Sequence, residues 1–110
     1  VIGVPKWVHR LLDRFGPARR LHVIAGDRLP PRMPARDLVL AVDDGEPWSI
    51  GIQCPCRCGD VIEMLVIPGA RPRWDFTIDD DGRPTLSPSV WRNVGCKSHF
   101  WLRKGRVHWC

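Results

Sequence analysis

The stretch Trp48-Ser-Ile-Gly-Ile-Gln-Cys54-Pro-Cys56-Arg-Cys58-Gly59 changes character halfway along. Its first part alternates, with Trp48, Ile50, Ile52 and Cys54 on one side and Ser49, Gly51 and Gln53 on the other. That is the period-2 pattern of a strand with one face on a core. Cys54, Cys56 and Cys58 then fall within five residues, and Gly59 supplies backbone permissive enough for a sharp turn. Residues 61–67 resume an apolar run, so the cysteine cluster occupies the turn between two strands.

Outward from this hairpin the same grammar repeats. Residues 37–42 read as a buried strand, and Asp43-Asp-Gly-Glu-Pro47 is a strong turn signal after it. Residues 21–25 form a further short strand, followed by Gly26-Asp27 and a loop containing Pro30, Pro31 and Pro34. Downstream, residues 73–78 read as a strand closed by Asp79-Asp-Asp-Gly82. Those three carboxylates lack the longer ligand array and terminal glutamate of an EF-hand, so they read as a hairpin turn. Residues 100–103 and 106–110 flank Lys104-Gly105, a two-residue hairpin turn. Short strands at this spacing predict a mainly β domain, a small sandwich or barrel with Rieske-like or zinc-ribbon-like loops. Residues 1–20 stand apart as an N-terminal unit: Trp7, Val8, Leu11, Leu12 and Phe15 make the stripe of a short amphipathic helix over 6–15, ended by Gly16-Pro17. Residues 21–110 are predicted to form a single β-rich metal-binding domain.

The metal prediction comes from a second fragment, Gly95-Cys-Lys-Ser-His99, which answers the first cluster. Thiolates with one imidazole are a ligand set that zinc prefers. Strand pairing would bring two loop tips together as a closed tetrahedral site of Cys56, Cys58, Cys96 and His99. Cys54 is the alternate ligand, because strand alternation could bury it. The metal is expected to be zinc in a structural role. The alternative is a two-iron iron–sulfur cluster, since the paired loops are Rieske-like, although Cys56-Arg-Cys58 replaces the expected Cys-x-His. Ser87 and Ser89, around Pro88, read as loop-forming residues or as hydrogen-bond partners of His99. His108 and Cys110 share a face of the last strand, and Cys110 reads as a small apolar residue. His9 and His22 are isolated and read as surface or structural residues.

Bulk properties narrow the function. The 110 residues are 44% hydrophobic and 26% charged, a globular composition with room for one modest core. Neither a membrane-length apolar run nor a signal-peptide pattern occurs, which predicts a cytoplasmic protein whose close cysteines bind metal rather than pair. The net charge of +5 comes from scattered arginines and reads as a solvated basic surface. Six tryptophans beside that charge leave single-stranded nucleic-acid binding as an alternative. No phosphate loop, metalloprotease helix or nucleophile elbow is present, and Cys96 with His99 is explained by ligation. The sequence therefore reads as a binding protein rather than an enzyme.

The ordered series Cys54-Pro-Cys-Arg-Cys-Gly59, Pro72-Arg-Trp74, Leu86-Ser-Pro-Ser-Val-Trp91, Gly95-Cys-Lys-Ser-His-Phe-Trp101 and Gly105-Arg-Val-His-Trp109 resembles a family of small cysteine-rich bacterial proteins of unknown function. The resemblance covers 37–110, more loosely from Leu21. Members are often encoded beside a ubiquitin-like modifier and its activating and conjugating enzymes, in clusters suspected of antiphage defence. The resemblance implies an accessory or adaptor role, with the modifier or those enzymes as protein partners. Arg57 stands where many relatives have glycine. The expectation is thus a structural zinc-binding adaptor. An iron–sulfur electron-transfer protein and a single-stranded nucleic-acid binder are the alternatives.

Overall fold

The structure, a computed structural model, describes residues 7, 8, 11, 16–92 and 95–110. The helix expected over 6–15 lies outside the described residues except at Trp7, Val8 and Leu11, which have helical geometry.

The remainder is mainly β, in three small sheets. The first has the order β1 (Leu21–Ala25), β2 (Leu38–Asp43), β3 (Glu46–Gln53), β4 (Val61–Leu65). β1 runs parallel to β2, and the other neighbours are antiparallel. β5 (Asp75–Ile78) and β6 (Pro84–Ser87) form a hairpin, and β7 (Val90–Trp91), β8 (His99–Arg103) and β9 (Arg106–Trp109) form the third sheet. The turns follow their sequence signals. Asp44-Gly45 and Lys104-Gly105 both have φ positive at both residues, as two-residue hairpin turns between twisted strands require. The Asp79 carboxylate accepts the Asp81 and Arg83 amides and the Arg83 guanidinium, so it closes its own turn.

One apolar core joins the three sheets. Leu38, Leu40, Ile50, Ile52, Met64, Leu86, Val90, Phe100 and Leu102 meet there, all under 5% exposed. The alternation in β3 holds for the face carrying Ile50 and Ile52, but Ser49 and Gly51 are buried as well. The reason is the proline-rich connection between β1 and β2, which folds across the second face. A Cβ on Gly51 would run into Leu29 Cδ1 and stand 3.1 Å from Met33 Cε, so any larger residue obliges those side-chain ends to shift. Gln53 Nε2 donates to the Met33 carbonyl at 3.1 Å and fastens the loop down.

A polar tie secures the start of β1. Asp37 accepts the Arg20 amide at 3.1 Å and faces His22 Nε2 at 2.7 Å. Burial alone would raise this carboxyl, but the bonds from His22 and Arg20, with the charges of His22 and Arg36, outweigh it and hold it below the ordinary 3.8. A depressed carboxyl contributes stability above pH 3.8 and loses it as pH falls through the lowered value. Asp37→Asn is therefore expected to lower stability at neutral pH and to flatten the acid limb of a denaturation profile. An unchanged limb would remove the tie.

Among the described residues, no helix is long and apolar enough to cross a membrane.

Candidate functional site

Two constellations lie side by side where the first and third sheets meet. The first is a group of four thiols. Cys54 follows directly on β3, and its amide donates to the Asp60 carbonyl at 2.8 Å, closing the base of the loop. The Arg57 amide returns to the Cys54 carbonyl at 3.0 Å, with Arg57 at φ 69° and Gly59 at φ 92° completing a tight knuckle. Gly95 at 67° and Lys97 at 54° shape the opposing knuckle around Cys96. As a result the sulfurs of Cys54, Cys56, Cys58 and Cys96 all lie within 4.8 Å of one another. Cys54 Sγ is 3.3 Å from that of Cys56 and 3.5 Å from that of Cys96. Ligands at about 2.3 Å around a tetrahedral ion stand about 3.8 Å apart, so the group can hold one metal ion with small adjustments.

Two further residues serve these sulfurs. Ser98 is buried, with its hydroxyl 3.1 Å from Cys96 Sγ and 3.5 Å from Cys54 Sγ. Arg92 Nη1 donates toward Cys96 Sγ at 3.4 Å and Cys58 Sγ at 3.8 Å, while also holding Asp60 at 3.1 Å. Cys96 is the thiol whose surroundings most favour the thiolate. Its burial pushes upward, but hydrogen bonds from the Ser98 hydroxyl and amide and from the neighbouring thiols bring it down to about 6. Burial, the largest influence on Cys56, pushes that thiol up.

The structure places the expected ligands differently from the 56, 58, 96, 99 set. It gathers Cys54 with the other three thiols and leaves His99 outside the group. His99 belongs instead to the second constellation. Trp91 and His99 are direct partners across β7 and β8, so their side chains stand on one face. Their rings stack, with centroids 5.1 Å apart and planes at 17°. Ser89 precedes Trp91 by two residues and shares its face, while Val90 and Phe100 turn into the core. The diagonal brings Ser89 Oγ to 3.0 Å from His99 Nε2. Both residues are half-buried. A serine hydroxyl donating to an imidazole nitrogen is the pairing that converts a weak nucleophile into a usable one. Among the described residues no hydrogen bond or ion pair joins His99 to a carboxylate, and the face of Trp91 supplies the ring's other fixed contact. Ser87, by contrast, ends β6 exposed.

The residues that sequence reasoning passed over are Ser98, Arg92 and Trp91. Ser98 and Trp91 lie inside the quoted motifs, but their roles depend on which strand faces which.

These features define a small β-domain with a four-thiol knuckle centre and an adjoining serine–histidine pair. Residues 25–110 match the family described as the bacterial ubiquitination-like system serine protease (BubE), and the chain belongs to that family. Comparison with the curated proteins and with the solved structures gave no match.

Proposed function

We propose that this chain is a serine protease of a bacterial ubiquitin-like conjugation system, with Ser89 as nucleophile and His99 as general base and acid. The observation that carries the proposal is the 3.0 Å contact between Ser89 Oγ and His99 Nε2. In the reaction Ser89 Oγ attacks a substrate carbonyl while His99 Nε2 takes the hydroxyl proton. The tetrahedral adduct collapses, the C–N bond breaks, and His99 returns that proton to the departing amine. Water then repeats the sequence on the acyl-enzyme: it loses a proton to His99, attacks the ester carbonyl and releases the acid. The proton on His99 returns to Ser89. The substrate class is a protein of the pathway, most naturally the ubiquitin-like modifier or its conjugates. A cytoplasmic location and a part in antiphage defence belong to the same reading.

The four thiols fit zinc as a structural ion. Soft ligands in one mutual group suit a single tetrahedral ion, whereas a two-iron cluster needs its ligand pairs spread across the cluster. When bound, zinc would lock the two knuckles together. Cys96 then anchors the start of β8, and the base is held three residues beyond a fixed point. The sequence-based adaptor reading keeps its structural metal here, while family membership favours proteolysis over adaptor, electron-transfer and nucleic-acid roles. A fluorophosphonate, which phosphonylates activated serines with loss of fluoride irrespective of substrate, tests the proposal. Labelling confined to Ser89 supports it, and an unreactive Ser89 in folded protein removes it.

Trp91 acts as a positioning residue in this scheme. Stacking of this kind is worth about 0.5–1.5 kcal/mol. Trp91→Ala is expected to slow fluorophosphonate labelling by about 3- to 10-fold, and Trp91→Phe to restore most of the rate. Equal rates in both variants would deny the ring any part in orienting His99.

A further inference from the structure

The outward face of the third sheet continues the Ser89–His99 site. Side chains of β8 alternate, so Phe100 and Leu102 enter the core while His99, Trp101 and Arg103 stand outward in a row. Trp91 and His108 flank that row as the cross-strand partners of His99 and Trp101. We propose that a substrate chain lies along this face, with an acidic side chain about two to four residues from the scissile bond held by Arg103 and Lys104. The inference rests on the Ser89–His99 reading and adds the feature by which a substrate is recognised, an acidic peptide segment.

The charge of the face selects the ligand. None of β7, β8 and β9 contains an aspartate or glutamate. All twelve acidic residues of the chain stand at or before Asp81, whereas six arginines and lysines follow it. The positive excess of the whole chain therefore lies in residues 82–110. Two of those cations are neutralised within the fold, Arg83 by Asp79 and Arg92 by Asp60. Arg106, opposite Arg103, donates to the Gly16 carbonyl. Among the described residues no ion pair takes Arg103 or Lys104.

The thiol group does not cancel the charge at this end of the sheet. Cys96 lies before β8 and Arg103 ends it, and the strand alone separates His99 from Arg103 by roughly 13 Å. Exposed charges that far apart are largely screened, since the Debye length is about 8 Å at physiological ionic strength.

The cation is also held ready. Arg103 Cζ stands 4.8 Å from the centroid of the Trp101 ring. That stack orders a long side chain before a ligand arrives and leaves its charge open to an anion. It also sets the spacing. An extended chain rises about 3.3 Å per residue, so the backbone of Arg103 is four residues from His99, and a guanidinium lying over Trp101 is reached from two. Trp91 is 66% exposed even though it stacks on His99, so it offers an apolar surface beside the base for a neighbouring substrate side chain. An aromatic and basic face by itself would also suit a nucleic-acid strand. Its continuity with Ser89 and His99 favours a peptide.

Binding and protection of Ser89 are read together on the full chain. Four nonapeptides, acetylated, amidated and otherwise of alanine, serine and glycine, are compared. One carries two glutamates before the central bond, one carries them after it, and the others carry two glutamines or two lysines. Binding is followed by the Trp101 indole N–H signal in NMR spectra, and protection by the rate of fluorophosphonate labelling. A glutamate peptide is expected to act at concentrations about 5- to 10-fold below the glutamine and lysine peptides in both readouts. The better of the two glutamate peptides shows on which side of the bond the acid lies. Arg103→Gln/Lys104→Gln should remove the preference, and Arg103→Glu/Lys104→Glu should reverse it in favour of lysine, a change of sign that a structural defect does not produce. Equal action of all four peptides overturns this inference alone, as does a glutamate preference that survives charge reversal. Glutamate peptides that move the Trp101 signal but leave a reactive Ser89 unprotected also overturn it. A single-stranded oligothymidylate that displaces the peptides at lower concentration assigns the face to nucleic acid instead. A Ser89 that never reacts removes the protease reading, and the substrate role of this face falls with it.

Discussion

On the proposed reading, Ser89→Ala is expected to abolish fluorophosphonate labelling and to lower cleavage of the ubiquitin-like modifier by about 10⁴-fold or more. The size of the effect follows from the role. A nucleophile has no substitute in its own site, whereas a positioning group costs only the fraction of time the geometry is lost. Because Ser89 is half-buried in the link just before β7 and its hydroxyl meets His99, alanine is expected to leave the fold and the thiol group intact. Thermal stability should change by less than about 1 kcal/mol, the ordinary worth of one such hydrogen bond. His99→Ala should match Ser89→Ala in rate, and the double variant should be no worse than either, because the two act as one unit. Full activity in Ser89→Ala would return the chain to an adaptor role. Effects of the two variants that multiplied would mean that the pair does not work as one unit.

The second large effect concerns the metal. Cys54→Ser or Cys96→Ser is expected to abolish zinc binding and the cooperative unfolding transition together. A structural zinc supplies roughly 10–16 kcal/mol in small domains, as much as the whole stability of about 5–15 kcal/mol. The chain has its own core, so partial β structure should survive, but the two knuckles should not. His99→Ala is the decisive companion. With four thiols as ligands it keeps one zinc per chain by elemental analysis and a near-native melting temperature. If it loses the metal while Cys54→Ser retains it, the set Cys56, Cys58, Cys96 and His99 is restored. A strong chelator should reproduce the cysteine variants and stop Ser89 labelling as a consequence of unfolding.

Much of the fold was legible because the relevant rules are local. Strand alternation around Ile50 and Ile52 and the Asp44-Gly45 and Lys104-Gly105 turns need only neighbours a few residues away. What was not legible depends on pairings made at long range. Nothing near Gly51 announces that Leu29 and Met33 cover its second face. The place of Cys54 was only partly legible for a physical reason: alternation leaves burial and ligation both open, and long-range packing is what brings its sulfur beside those of Cys56 and Cys96. A closed metal centre is itself part of the interior, so an inward thiol at a strand end is well placed to bind. His99 illustrates the converse. Its spacing from Cys96 imitates a ligand pair, but strand β8 has already begun at His99, and its register with Trp91 turns the ring toward Ser89. That register could not be read from either segment alone.

The short link from Cys96 to His99 behaves as a phase setting. One end is pinned at the thiol group, and the other enters a strand whose side chains alternate direction at every residue. Adding or removing one residue there would leave the cysteine in place and exchange His99 with Phe100, sending the imidazole into the core and the phenyl ring toward Ser89. Two such changes would restore the direction but slide the ring along the strand and away from the serine. The length of that loop therefore encodes the Ser89–His99 geometry as directly as the identity of the residues in it.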